Sequence, residues 1–348
     1  MRAQSIKGWG EIDAMIDVTE DAPVPKPGKG EVLIKVRAVA LAPGDVRFLG
    51  GETRLVQRPK RFPYTGGGDV SGEVVQVGKG VTSLHPGDAI YATFVTPKPI
   101  GCLAEFAVVK AALAAKKPDA LSFEEACTLG SSAATALKIA KVINPGDRVL
   151  VLGGTGGVGC FLVQLARDAG ASFVAATSSK LELLESLGVD RAINYPTENW
   201  WEIPEFQTNR FDVVVDLVCG RHTYAMWRRS VAMKNKREGG RFVTTMGPNP
   251  HPQVRNVLDL FKLIGSMVSL QMSAKLHSWS RLVMVNGVPT FKDRGQPFVE
   301  LNDKIAAGKL RVVLDPAGPF PFTTDGIRSA YALQKSRHAK GKVVVQIS

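Results

Sequence analysis

The chain has 348 residues, of which 45% are hydrophobic and 22% charged, and a formal net charge of +12 at pH 7. That length suits two domains, each with its own core, and the composition excludes a disordered chain. No uninterrupted apolar stretch is long enough to span a bilayer. The Lys and Arg residues are spread along the sequence without the interleaved aromatics of a single-strand platform, which argues against nucleic acid as a partner.

In chain order, Met1-Arg2-Ala3-Gln4-Ser5-Ile6 leads straight into a first strand, with no charged region, apolar run and cleavage site of a secretory leader. Short alternating runs follow, among them Val32-Leu33-Ile34-Lys35-Val36 and Val74-Val75-Gln76-Val77, punctuated by turns such as Pro27-Gly28 and Pro86-Gly87-Asp88. They predict an all-β, barrel-like first domain. Arg54, Arg58, Lys60 and Arg61 form the densest basic group and read as a solvated loop first, the rim of a substrate channel second and a nucleic-acid patch a distant third. Cys102, Cys127, Cys160 and Cys219 lie far apart, which suits reduced thiols in the cytoplasm, with an organelle left open.

The run Val149-Leu150-Val151-Leu152 then enters Gly153-Gly154-Thr155-Gly156-Gly157-Val158-Gly159. A buried strand, a G-x-G-x-x-G turn at Gly154, Gly156 and Gly159, and an amphipathic helix ending at Gly170 form, in this order, a dinucleotide fingerprint. Gly154 is expected to make the tight turn, Gly156 to admit the pyrophosphate and Gly159 to let helix and strand pack closely. The N–H groups of the helix start, at Thr155, Gly157 and Val158, face the diphosphate.

An NAD-binding unit closes its next strand, here 172–177, with an acid that accepts from the ribose 2′-OH. This chain has Thr177, Ser178, Ser179 and Lys180 there, and its first acid, Glu182, falls in the following helix. Hydroxyls and an ammonium suit a 2′-phosphate, so NADPH is favoured over NADH. Lys180 taken alone also reads as an ordinary exposed lysine. Tyr195 is a candidate for the adenosine rim or simply a half-buried aromatic.

Strands are expected at 149–152, 172–177, 191–194, 212–217, 240–245 and 266–270, with helices between most of them, which is a doubly wound, mostly parallel sheet. The closing run Gly341–Ile347 is a further strand, expected to return to the β domain. Tyr331-Ala332-Leu333-Gln334-Lys335 spells the Y-x-x-x-K pair of short-chain dehydrogenases but lies far beyond the glycine turn, so coincidence is the better account. Cys160, on the first helical turn, reads as a small packed residue.

Pro27–Val36, Gly68-Asp69-Val70-Ser71-Gly72, Pro86-Gly87-Asp88, Ala104-Glu105-Phe106, the glycine turn, Phe211–Asp216, Gly239–Val243 and Gly341-Lys342-Val343-Val344 together cover nearly the whole chain. In this order they resemble the medium-chain dehydrogenase/reductase superfamily and, within it, the zinc-free quinone oxidoreductase, ζ-crystallin-like branch. The resemblance implies an α/β protein with a GroES-like β-barrel catalytic domain (1–121 and 310–348) and a Rossmann nucleotide-binding domain (122–309). It implies NADPH-dependent reduction of quinones or activated α,β-unsaturated carbonyls, commonly by a homodimer. It also implies cofactor contacts at Thr135, Val218, Met246, Gly247 and Lys342.

Where the alcohol dehydrogenase branch places zinc ligands, this chain has Gly44-Asp45 and Gly68-Asp69, and no cysteine cluster suits a structural zinc, so no metal is expected. Without a Lewis acid, the feasible acceptor is one already electrophilic. Ala42-Pro43-Gly44-Asp45 replaces the Asn-Pro-x-Asp usual in that branch. Arg47, two positions on, is either a cationic donor to a substrate oxygen or a surface arginine. The missing asparagine motivates an alternative reading, an NADPH-binding sensor, scaffold or structural protein with little turnover.

Overall fold

The computed structural model describes residues 1–56, 58–59, 61–94, 101–219, 221–245, 253–277, 279–285 and 295–347. The chain forms two compact units, one of Met1–Ala134 with Val288–Ser348, the other of Thr135–Gly287.

The first unit begins with the antiparallel pair β1 (Ala3–Ile6) and β2 (Ile16–Thr19). Val32, Ile34 and Val36 then alternate with residues of the other face along β3 (Glu31–Leu41), so a pleated segment buries one side fully. β4 (Asp69–Val77), β5 (Ala89–Thr93), β6 (Phe106–Lys110) and β7 (Ala114–Lys116) complete its early strands. β3 pairs antiparallel with β4 and with β6, and β4 continues to β5 and β7.

The second unit holds β8 (Arg148–Leu152), β9 (Phe173–Ser178), β10 (Arg191–Asn194), β11 (Val213–Asp216), β12 (Arg241–Thr244) and β13 (Arg281–Met284). They form one six-stranded parallel sheet in the order β10-β9-β8-β11-β12-β13, the doubly wound order in which the chain reverses direction beside its first strand. Trp200, Phe206, Phe211, Tyr224, Trp227 and Phe242 fill the core on one side of that sheet.

The chain then returns to the first unit. β14 (Phe320–Pro321) lies beside β15 (Val343–Gln346), and β15 pairs antiparallel with β3, as the sequence of the closing run requires. The helix Gln296–Ala306 also belongs to this unit, although its residues read from sequence as part of the nucleotide half. Phe298 meets Tyr91 edge to face at 5.3 Å, and Asn302 joins the Tyr91 hydroxyl (3.0 Å) to the Lys116 carbonyl (3.0 Å).

One expected strand is wrong. Residues 266–270 lie inside the helix Val257–Leu276, and the sheet's sixth strand is β13. Asn256 caps the helix by accepting the Asp259 N–H (2.9 Å), and Leu260, Leu263, Met267, Leu270 and Ala274 recur at helical spacing, which outweighs the strand-like look of Met-Val-Ser-Leu. By length and composition this 20-residue helix suffices to cross a membrane. Asp259, Lys262 and Lys275 interrupt it and hide it from a search for uninterrupted apolar stretches.

Candidate functional site

The glycine turn joins β8 to the helix Gly159–Asp168. The residue with left-handed backbone is Gly153 (φ +86°), one position before the glycine expected to make the turn. Gly154 and Gly159 serve close approach instead. A Cβ at Gly159 would stand 2.2 Å from the Gly153 carbonyl oxygen, and one at Gly154 would stand 2.7 Å from Ala176 Cβ and Leu184 Cδ2. Cys160 N–H donates to Gly156 O, so the helical ladder starts there and the N–H groups ahead of it, at Gly157 and Val158, lie outside it. Cys160 itself is buried and packed.

Side chains at the end of β9 hold this turn. Thr177 Oγ1 accepts the Gly153 N–H (3.0 Å), and the hydroxyls of Thr155 and Ser178 share a hydrogen bond of 2.6 Å. Ser178 Oγ also accepts the Lys180 N–H at 2.9 Å. Thr155 and Ser178 are buried and committed to one another, whereas Ser179 is exposed and Lys180 half-exposed at the start of the helix Leu181–Ser186. The glycine turn and the strand end are thereby tied into one piece, with a hydroxyl and an ammonium left at its surface. Tyr195, just past β10, and Val218, just past β11, are also exposed, while Thr135 is buried on the helix Ser132–Ala140. Met246 and Gly247 fall outside the described residues.

Sequence reasoning missed Asp216, the last residue of β11. Its Oδ1 accepts the N–H groups of Val218 (3.1 Å) and Cys219 (2.8 Å), which folds the strand exit over and puts Cys219 at a left-handed φ of +59°. Among the described residues its buried Oδ2 has no partner. Burial pushes the carboxyl up to about 6, and the two backbone donors only partly oppose it. The one signal in the sequence is an acid closing an otherwise apolar strand.

In the first unit Lys342 is buried, with its ammonium donating to Leu41 O (3.1 Å) and Ser132 Oγ (3.0 Å) and standing 3.6 Å from Asp69 Oδ2. Asp69 further accepts from Thr93 Oγ1 (2.7 Å), from the Ser131 N–H (2.9 Å) and from the Ser131 hydroxyl. Asp45 accepts the Ala42 N–H (2.8 Å) and the Gly67 N–H (3.3 Å). Burial first, and then the charge of Asp69, push its carboxyl up to about 6, against the pull of Lys342 and the backbone donors. Arg47, on the helix Pro43–Leu49, places Nε 3.4 Å from Glu52 Oε2, and both side chains are mostly buried. Arg54, Arg58 and Arg61 are exposed, and Lys60 lies outside the described residues. Tyr331 is fully buried while Lys335 pairs with Glu11 at 2.8 Å, so the Y-x-x-x-K spelling makes no catalytic pair.

The donors at the positions of the alcohol dehydrogenase ligands do not fit a zinc ion. Among the described residues no three His, Cys, Asp or Glu side chains come together. Asp69 is already satisfied by three donors and an ammonium, and Asp45 by two backbone N–H groups.

The family model for the alcohol dehydrogenase GroES-like domain matches residues 28–119, and that for a zinc-binding dehydrogenase matches 187–345. The chain is 35% identical to the 2-methylene-furan-3-one reductase of Solanum lycopersicum over 355 residues, covering 99% of this chain and 79% of that protein. It is 34% identical to the chloroplastic NADPH-dependent alkenal/one oxidoreductase of Arabidopsis thaliana, with the same coverage of 99% and 79%. Among solved structures, a mycobacterial protein in complex with NADPH superposes with a TM-score of 0.74 at 25% identity, covering 100% of each chain.

Proposed function

This chain belongs to the medium-chain dehydrogenase/reductase superfamily, and from that premise we propose that it is a zinc-independent, NADPH-dependent oxidoreductase acting on quinones or activated α,β-unsaturated carbonyls. The observation that carries the reading is the end of β9. The Thr155–Ser178 hydrogen bond fixes the glycine turn against a strand end that presents Ser179 and Lys180 in place of an acid. Glycines at 154 and 159 whose positions leave no room for a Cβ, and helix-start N–H groups outside the ladder, fit a diphosphate. Lys180 and Ser179 fit a 2′-phosphate.

In this reading NADPH supplies the hydride. Gly156, Gly157 and Val158 would hold its diphosphate, Thr135 and Val218 would line its nicotinamide half, and Tyr195 would border its adenosine; Met246 and Gly247 are assigned to the nicotinamide half by resemblance alone. The first unit carries the catalytic side and the second the nucleotide. Lys342 is assigned to the cofactor by resemblance, and its bonds to Ser132 and Leu41 make it a fixed cation at the base of the first unit's site. The occupied carboxylates of Asp45 and Asp69 support zinc independence, and four buried, widely spaced cysteines support a reducing compartment, cytoplasm or organelle. The homodimer is carried over from the branch.

The second reading, an NADPH sensor or scaffold, draws on Ala42, which offers no side-chain donor, and on Arg47, which is held by Glu52. Steady-state oxidation of NADPH, with NADH in parallel, against an ortho-quinone, a para-quinone and a short alkenal separates the two. The proposed activity gives turnover with NADPH on at least one acceptor, and much less with NADH. Tight NADPH binding with no turnover on any acceptor overturns it in favour of the sensor.

A further inference from the structure

The helix Val257–Leu276 is apolar on two faces. Its inner stripe holds Leu270 and Ala274 in the aromatic core of the second unit. A second stripe, Val257, Phe261, Ile264, Val268 and Met272, is offset around the helix and exposed, with Phe261 at 68% and Met272 at 58%. A helix apolar on all sides belongs in an interior or against lipid, and here only one side has its interior.

The charge around this helix says what covers the other side. Residues 221–285 contain eleven Lys and Arg against two Asp and Glu, so most of the chain's net +12 sits in this one segment rather than being spread evenly. Arg228, Arg229, Arg255, Lys262, Lys275 and Arg281 are exposed there. Arg228 lies over the Trp279 ring at 5.1 Å, and Trp279 stacks on His277 at the helix's C-terminal end. A second copy docked through this face would set two basic rims against each other, an arrangement that like-charge repulsion disfavours. An anionic lipid surface is complementary to both, its headgroups to the rim and its acyl chains to the stripe.

We propose that the Val257–Leu276 helix docks the protein in plane on an anionic lipid surface, its outer stripe at the acyl boundary and its basic neighbours on the headgroups. The inner stripe stays packed on the sheet, and Asp259, Lys262 and Lys275 stay at the interface, so the helix lies on the bilayer and does not cross it. This goes beyond the hydride-transfer reading and stands or falls without it.

The test is sedimentation of the full chain with vesicles of phosphatidylcholine alone and of phosphatidylcholine with phosphatidylglycerol, at low and high salt. Binding to the anionic vesicles should exceed binding to neutral ones by about tenfold or more and weaken with salt, since each Lys or Arg near the surface contributes about fivefold. The double variant Phe261→Glu/Ile264→Glu should lose about tenfold or more of that binding while keeping wild-type melting and NADPH oxidation in lipid-free buffer. Should that variant fold poorly, Lys262→Glu/Lys275→Glu gives the same reading through charge. Absence of binding to anionic vesicles, or binding that neither double variant weakens, overturns the proposal. So does a wild-type oligomer that Phe261→Glu/Ile264→Glu converts to monomer without any vesicle binding in either form.

Discussion

Both units take a carboxylate out of water at the end of a strand, and they treat its charge differently. In the first, Asp69 keeps its charge company with the Lys342 ammonium at 3.6 Å and with the hydroxyls of Thr93 and Ser131. In the second, Asp216 has two backbone N–H groups on one oxygen and, among the described residues, no partner on the other, and burial lifts its carboxyl to about 6. Asp45 falls between the two, since it shares one lysine with Asp69 and is itself lifted to about 6. A buried acid is held either by importing a cation or by giving up its charge more readily.

Removing the cation breaks the comparison most severely. Lys342→Met leaves Asp69 buried and unpaired, and urea unfolding should show a loss of about 3–5 kcal/mol. Adding Asp69→Asn should restore much of it. A loss below about 1 kcal/mol would mean that the hydroxyls alone suffice.

Asp216 sharpens the contrast through pH. Its folded-state carboxyl titrates near 6, above the 3.8 of an unperturbed aspartate, so its favourable contribution is complete below 3.8 and is lost as pH rises through about 6. Relative to wild type, Asp216→Asn should therefore gain on the order of 3 kcal/mol between pH 4 and 6 and then level off. A difference that stays constant over this range would show that Asp216 titrates normally.

Lys180 supplies the opposite case, a half-exposed charge whose partner, on the proposed reading, is the 2′-phosphate of the ligand. Lys180→Ala should weaken NADPH binding about tenfold, the low end for a hydrogen bond to a charged group, and leave NADH unchanged in parallel fluorescence titrations. Equal losses for the two nucleotides would remove the 2′-phosphate assignment. The smallest effect belongs to the mostly buried pair of Arg47 and Glu52: Glu52→Gln keeps an acceptor facing the guanidinium and should cost about 1 kcal/mol. If Arg47 serves only to brace its loop, this variant's kcat on the best acceptor stays at the wild-type value, whereas a rise would show that Glu52 holds back a working donor.

The nucleotide half was legible because its constraints are local. Strand, glycines and helix follow within a few residues, and the missing acid after β9 can be read from four positions. The same locality misled at two points. Gly153 rather than Gly154 takes the left-handed backbone, because the first fingerprint glycine is needed for contact with Ala176 and Leu184. Residues 266–270 look strand-like in a short window and are helical once the Asn256 cap and the full spacing are counted. The environment of Lys342 was not legible, because Leu41, Asp69 and Ser132 converge on it from distant parts of the chain. Nor was Asp216 singled out, since an acid at a strand end says nothing of its burial until the sheet around it is closed.

β15 has a consequence for the order in which the protein is made. Lys342 meets the Leu41 carbonyl across 301 positions, and β15 closes on β3 only after Gln346 has been synthesised. The parallel sheet of the second unit is contained within Thr135–Gly287 and is complete earlier. The middle of the chain can thus fold while its beginning waits on the ribosome, with Asp69 still lacking its cation. During that interval the early strands depend on whatever else in the cell protects an unfinished sheet edge.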